Sequence, residues 1–303
     1  MKTIVLAAGY ATRLYPLTEN FPKPLLQIGK STILDRMLDD IDGIPEVTEH
    51  IVVTNGKFAG IFEEWASGRI PSPASQVRND TLRQISPRAS LGRNDKEADL
   101  GRNDNSPVIP SGAKESLSVI SSGAEGGVEK SKPVRVLSDG TFTNDTRLGA
   151  VCDLVLAIDT FHIDEDILVV AADNILEFSF KGFVEAFREK GTSMIMCHHE
   201  PEVYKLQRTG VIEVDGDFKV LQMQEKPEVP VSHWAVPPFY LYRREDIPLI
   251  LGAIADGCGR DAPGNLAHYL VDRTVLHAWP MPGGRFDIGS LDTYEEAKRK
   301  YSV

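Results

Sequence analysis

Short apolar runs alternate with stretches of helical period along most of this chain, and no other feature restricts its fold as strongly. Thr3–Ala7 is an apolar run of the kind found in a strand buried on both faces of a parallel sheet. The spacing of Ile33, Leu34, Met37, Leu38 and Ile41 predicts a helix over Ser31–Ile41, with Ser31 as its cap. The pattern repeats. His50–Thr54 reads as a strand and Lys57–Ala66 as a helix. Val134–Leu137, Leu148–Ile158, Ile167–Ala171, Phe180–Lys190 and Thr192–Cys197 continue as strand, helix, strand, helix, strand. Such alternation makes a parallel α/β sheet, because a helix must carry the chain back before the next parallel strand can form. After Gly210 the pattern changes. Val211–Val214 and Lys219–Gln224 flank Asp215-Gly216, a hairpin signal. A strand at Phe239–Tyr242 and helices over Asp246–Ala255, Gly264–Asp272 and beyond Ser290 follow.

From Ile70 to Pro133 neither period is sustained, and Ser, Gly, Asn, Asp and Arg dominate. The triplet Arg-Asn-Asp recurs at Arg78, Arg93 and Arg102. The segment reads as a disordered, low-complexity insertion derived from a repeat, placed in a surface loop of one domain spanning residues 1–303. Its removal is expected to leave activity intact.

Several function classes are excluded by charge and composition. With 33 Lys and Arg against 44 Asp and Glu, the net charge of −11 disfavours a nucleic acid or an anionic membrane as the main partner. No apolar run approaches the roughly 18 residues of a membrane helix, and Met1–Gly9 reads as a first strand rather than a leader. Cys152, Cys197 and Cys258 form no CxxC pair. Sparse cysteines fit a reducing compartment, so a cytoplasmic protein is expected. Gly29-Lys30-Ser31 ends like a phosphate-binding P-loop, but the first glycine of that motif would fall on Pro24. His198 and His199, adjacent on a strand, point to opposite faces and read as structural.

The chemistry concentrates where the first strand opens into LAAGYATRLYPLTENFPKPLL, Leu6 to Leu26. Small residues let backbone amides approach a bound phosphate, and Arg13 and Lys23 add cations in the same loop. This segment resembles the signature of the sugar-1-phosphate nucleotidylyltransferase family. Further resemblances are GTFTNDTRLGAVCDL (Gly140 to Leu154), VVAADN (Val169 to Asn174), QEKP (Gln224 to Pro227) and FDIGSLDTYEEA (Phe286 to Ala297). The resemblance implies a three-layer, Rossmann-like, mostly parallel sheet with an antiparallel appendage. It implies a reaction in which a sugar 1-phosphate attacks a nucleoside triphosphate and pyrophosphate leaves.

The same resemblance implies roles for single residues. Asp173 and Asp287 would hold Mg2+, and Arg13 and Lys23 the triphosphate. Lys226 would grip the sugar phosphate and Glu225 the sugar hydroxyls, while Ala8, Gly9 and Gly140 would pass close to the nucleotide. This chain differs from the family pattern at Ala11 and Ala172, where glycine is common, and at Pro237-Pro238-Phe239. Thymidylyl or uridylyl transfer to glucose 1-phosphate is the leading expectation. A cytidylyltransferase for phosphocholine or a similar phospho-alcohol, and a binding protein that has lost catalysis, stay open, as does a homo-oligomer.

Overall fold

The computed structural model describes residues 1–69 and 131–301. In chain order the first stretch holds β1 (Lys2–Leu6), β2 (Gln27–Ile28), β3 (Ser31–Thr32), α1 (Ile33–Asp42), β4 (Glu49–Thr54) and α2 (Ala59–Arg69). The second begins with β5 (Val134–Ser138), α3 (Ala150–Thr160), β6 (Ile167–Ala171), β7 (Asn174–Leu176), α4 (Lys181–Lys190), β8 (Ser193–His199) and α5 (Val203–Leu206). It continues with β9 (Gly210–Val214), β10 (Val220–Glu225), β11 (Trp234–Val236), β12 (Phe239–Tyr242) and α6 (Ile247–Gly252). Last come α7 (Gly264–Val271), β13 (Leu276–Pro280), β14 (Arg285–Asp287) and α8 (Leu291–Tyr301). The low-complexity segment read at 70–133 lies outside the described residues, apart from Ser131–Pro133.

Ten strands form the main sheet, in the order β10-β9-β11-β8-β12-β6-β1-β4-β5, with β13 beside β8. β5, β4, β1 and β6 are parallel neighbours, and β13 is parallel to β8. The expected antiparallel hairpin of β9 and β10 forms at the far edge. One strand departs from the expectation of an appendage: β12 runs antiparallel in the middle of the sheet, between β6 and β8. Its four residues, Phe-Tyr-Leu-Tyr, are all buried. Phe239 and Leu241 enter one core and Tyr240 and Tyr242 the other, so this short strand is stable only with cover on both faces.

Alternation across the sheet makes the two cores. Ile4, Ile51, Val53, Ile167 and Val169 face α3, α6 and α7. Val5, Val52, Leu168 and Val170 face α1, α2 and α4. The molecule is therefore a three-layer α/β structure, as the sequence pattern and the resemblance implied. At the start of α1 the cap is Thr32 and not Ser31, which pairs with Ile28 in a short two-stranded ribbon. The Thr32 hydroxyl accepts from Asp35 N at 3.0 Å, and Asp35 Oδ2 accepts from Thr32 N at 3.3 Å, a reciprocal capping box.

A smaller core supports the site directly. Leu14, Leu26, Ile28 and Ile33 pack against Ile175, Ile288 and the Tyr294–Ala297 face of α8. Each fully buried aliphatic side chain here stabilises by about 1.5–3 kcal/mol. The Tyr294 hydroxyl donates to Gln27 O at 2.9 Å, and Ser290 Oγ accepts from Thr293 N at 3.2 Å to cap α8. The last helix thus clamps the loop that follows the first strand.

Candidate active site

The loop after β1 leaves the sheet at its carboxyl edge. Ala7 N donates to Val53 O at 2.8 Å, and Asn55 Nδ2 donates to Ala8 O at 3.0 Å. Two single-turn helices, Thr12–Leu14 and Lys23–Leu25, then carry the two cations. Pro22 and Pro24 preset the second turn, and Lys23 is buried with only its end free to reach inward. Ala11 occupies the left-handed region, with φ 47°. That is the position where the family pattern has glycine, which adopts such a φ without strain. The Thr18 hydroxyl, donating to Ala11 O at 2.8 Å, holds the turn closed.

Two carboxylates 114 residues apart in sequence meet through strand register. β6 ends at Ala171, and Asp173 precedes β7, which pairs antiparallel with β14. The partner of Asn174 is Asp287, so Asp173 and Asp287 stand side by side. Ile288 N donates to Asp173 O at 3.2 Å, locking that register. Lys23 Nζ lies 3.0 Å from Asp173 Oδ2, and Asn174 Nδ2 donates to Asp173 Oδ1 at 2.6 Å. The surrounding protein and the Asp173 charge raise the pKa of Asp287, against the pull of Lys23, Arg285 and Arg13.

Two cavities meet at this pair. The first, about 220 Å³, is lined by Ala7, Gly9, Ala11, Arg13 and Lys23 together with both aspartates. Gly9 has open space where a side chain would stand. Ala172, the second departure from glycine, also lines this cavity. The second cavity, about 360 Å³, shares Asp173 and Asp287 and adds His198, Lys205, Arg208 and Arg285. His198 stands on the wall of this second cavity. Burial and Arg285 lower its pKa to about 4, so it is neutral at pH 7. His199, on the opposite face, stacks on His233 at 5.5 Å.

The remaining expected residues lie near these cavities but not on their walls. Ala8 is buried, and its carbonyl is taken by Asn55. Gly140, with φ 75°, follows β5 and is tied back to the first loop through Thr141, whose hydroxyl is 3.2 Å from Tyr10 Oη. Beneath it, Asp139 Oδ1 accepts from Thr141 N at 2.7 Å. Buried Asp153 on α3 has an Oδ1 without a hydrogen-bond partner. Glu225 and Lys226 close β10. Glu225 pairs with Gly210, which pairs with Val236, and this row brings Glu225 back to the carboxyl edge of the parallel strands. A methyl group on Gly264 would fall 2.0 Å from Glu225 Oε2, so α7 begins with glycine where that carboxylate sits. Burial raises the pKa of Glu225, opposed by Lys226 at 3.8 Å. Lys226 is held at φ 50°, its N donating to Thr209 O at 3.0 Å.

Sequence reasoning missed Asn55, Arg208, Gly264 and Arg285. Asn55 and Gly264 act through one contact each with a distant segment. Arg285 could have been suspected, two positions before Asp287 on what proved a strand.

A family model described as nucleotidyl transferase matches residues 2–84 and 120–302. The chain belongs to that family. The motif resemblance read in the sequence pointed to the same family. A glucose-1-phosphate adenylyltransferase of Fervidobacterium nodosum is 24% identical over 97% of this chain, which spans 59% of that protein's length. A UTP–glucose-1-phosphate uridylyltransferase of Haloferax volcanii is 21% identical, with 99% of this nucleotidyl transferase and 96% of the relative covered. A UDP-glucose pyrophosphorylase solved with UDP-glucose superposes at a TM-score of 0.68 and 16% identity, covering 99% of this chain and 97% of the other. One from Acinetobacter baumanii gives 0.65 at 15%, covering 99% and 92%. At these identities the structural likeness carries the fold. Among the described residues no helix is long and apolar enough to cross a membrane.

Proposed function

We propose that this nucleotidyl transferase joins a sugar 1-phosphate to a nucleoside triphosphate. The observation that carries the reading is the side-by-side pair Asp173 and Asp287 on the shared wall of two cavities, one of them bearing Arg13 and Lys23. An oxygen of the acceptor phosphate attacks the α-phosphorus. A new P–O bond forms as the bond from the α-phosphorus to the bridging oxygen breaks, and pyrophosphate leaves with that oxygen. Both reactants are anionic, so their approach costs Coulomb energy that fixed cations offset. Arg13 and Lys23 hold the triphosphate and stabilise charge on the departing pyrophosphate. Lys226 orients the acceptor phosphate and Glu225 accepts hydrogen bonds from the acceptor's hydroxyls. No general base is required, since the acceptor phosphate is already ionised.

The paired carboxylates fit a hard divalent cation. Asp287 is disfavoured as an anion partly by Asp173, a repulsion that such a cation relieves. Among the described residues no cluster of three or more acidic, histidine or cysteine side chains could hold a metal. That suits Mg2+, which takes one or two carboxylates and completes its shell with phosphate oxygens and water. Held by Asp173 and Asp287, Mg2+ would supply charge neutralisation on the phosphates and polarisation of the α-phosphorus.

Relatives named for adenylyl and uridylyl transfer to glucose 1-phosphate support glucose 1-phosphate as the first acceptor to try and ATP and UTP among the donors, with dTTP added by the resemblance read in the sequence. Pyrophosphate release from each of five nucleoside triphosphates against a panel of sugar 1-phosphates and phosphocholine, with Mg2+, tests the reading. Release with a sugar 1-phosphate supports it. Release with phosphocholine alone replaces it by the phospho-alcohol reading, and nucleotide binding without release on any pairing replaces it by the lapsed one.

The segment 70–133 is proposed to be an insertion dispensable for transfer. Arg69, at the end of α2, is held by Asp35 at 2.7 Å and Asp42 at 3.0 Å, and Lys132 N donates to the same Asp42 at 2.8 Å. Pro133 then leads into β5 beside His50, the start of β4 and the sheet end opposite the cavities.

A further inference from the structure

The second cavity is lined by three carboxylates, Asp173, Glu200 and Asp287, and by three cations, of which Arg208 and Arg285 form no ion pair among the described residues. We propose that the natural acceptor is a phosphate monoester bearing a second anionic group, a carboxylate such as that of a sugar acid, recognised by Arg208 and Arg285. The inference rests on the transfer reading above and specifies its acceptor.

Arg208 follows α5 and, among the described residues, its side chain makes no hydrogen bond and no ion pair. Arg285 donates to the neutral amide oxygen of Asn174 at 2.7 Å and forms no ion pair with a carboxylate among the described residues. Guanidiniums left without a bound anion beside a cavity are poised for a planar, two-oxygen ligand, which carboxylate supplies. Neither lines the first cavity, where Arg13 and Lys23 meet the triphosphate. The third cation of this wall, Lys205, is already taken by Glu202, with Glu200 at 3.8 Å.

What the wall lacks points the same way. A neutral sugar face is commonly met by an aromatic platform, yet apart from His198 no aromatic ring lines this cavity, and its apolar surface comes from Ala235 and Pro238. A quaternary ammonium such as choline needs an aromatic cage and would face two unpaired guanidiniums here. The wall therefore disfavours phosphocholine.

The test uses acceptors that differ only in the added charge. Glucose 1-phosphate and glucuronic acid 1-phosphate are titrated into the full chain with Mg2+ by calorimetry, and both are assayed for pyrophosphate release. The acidic acceptor is expected to bind, and to react in kcat/KM, at least about tenfold better at low salt. In Arg208→Gln and Arg285→Gln, with unchanged melting temperature, that ratio should collapse toward one, chiefly through KM. Equal binding of the two acceptors would overturn the inference. So would an equal loss for both in the variants, since the guanidiniums would then serve the shared phosphate, and so would failure of the acidic acceptor to bind. Preferential binding of the acidic acceptor without release on any pairing would leave this inference standing and sink the transfer reading alone.

Discussion

The parallel half of the sheet and the antiparallel arm beside it build their cavities in opposite ways. In the parallel half, Gly9, Arg13 and Lys23 lie within the 17 residues from Ala7 to Lys23, and Lys23 is already matched by Asp173 at 3.0 Å. Local turns preset these groups, and the Lys23 charge is compensated before any ligand arrives. In the arm, the wall combines the end of β8, the residues around α5 and the start of β14, and two of its cations, Arg208 and Arg285, form no ion pair among the described residues. Chemistry common to every reaction of this type is built from a contiguous loop with a carboxylate partner in place. Recognition of one acceptor is left to pieces that can vary separately.

Substitutions on the shared wall should break this division most strongly. Asp173→Asn or Lys23→Met removes a group that both cavities or the donor loop depend on, and turnover is expected to fall by about 10²–10³ or more. Pyrophosphate release by each variant, beside its melting temperature, checks this; near-normal turnover would remove those residues from the mechanism.

Gly264→Ala should act on the arm alone. The added methyl displaces the Glu225 carboxylate, raising acceptor KM by about tenfold while donor affinity holds. Parallel loss of donor affinity would show the two cavities to be one energetic unit.

Asp153→Asn sharpens the comparison through stability, because it lies under the nucleotide side. Burial and the Asp139 charge push Asp153 well above the usual carboxylate range. The folded chain therefore keeps a proton that the unfolded chain releases above about pH 4. This group's contribution to stability falls as pH rises through that window. The amide variant should melt higher at pH 8, by about 2–4 °C for each kcal/mol recovered, with a smaller gain at pH 5. A gain that does not grow with pH would show that folding does not raise the Asp153 pKa.

The smallest effects are expected away from both walls' charged groups. Ala11→Gly relieves a left-handed residue and should stabilise by about 1 kcal/mol or less, read by urea denaturation. Joining Arg69 to Ser131 through a short glycine-serine linker should leave pyrophosphate release and melting temperature unchanged; loss of folding would refute the dispensable-insertion reading.

Much of the parallel half is legible in the amino-acid pattern. Strand and helix periods place β1, α1, β4, α2, β5, α3, β6, α4 and β8 within a few residues, because burial on both sheet faces writes itself into continuous apolar runs. Short strands such as β7, β11 and β14 carry three residues each and too little pattern to read. β13 escapes for another reason: Leu-His-Ala-Trp-Pro becomes a strand only because β8 offers it a parallel edge.

The sequence by itself determined the layered α/β architecture and the residue types of the donor loop, since both depend on neighbours a few positions apart. Tertiary structure alone decided that Asp173 and Asp287 stand together, that Glu225 fills the space left by Gly264, and that Arg208 and Arg285 share a wall with His198. Those pairings are set by strand register and by contacts between segments tens to more than a hundred residues apart. A one-residue slip would turn each side chain to the other face, and nothing in local spacing encodes which register wins.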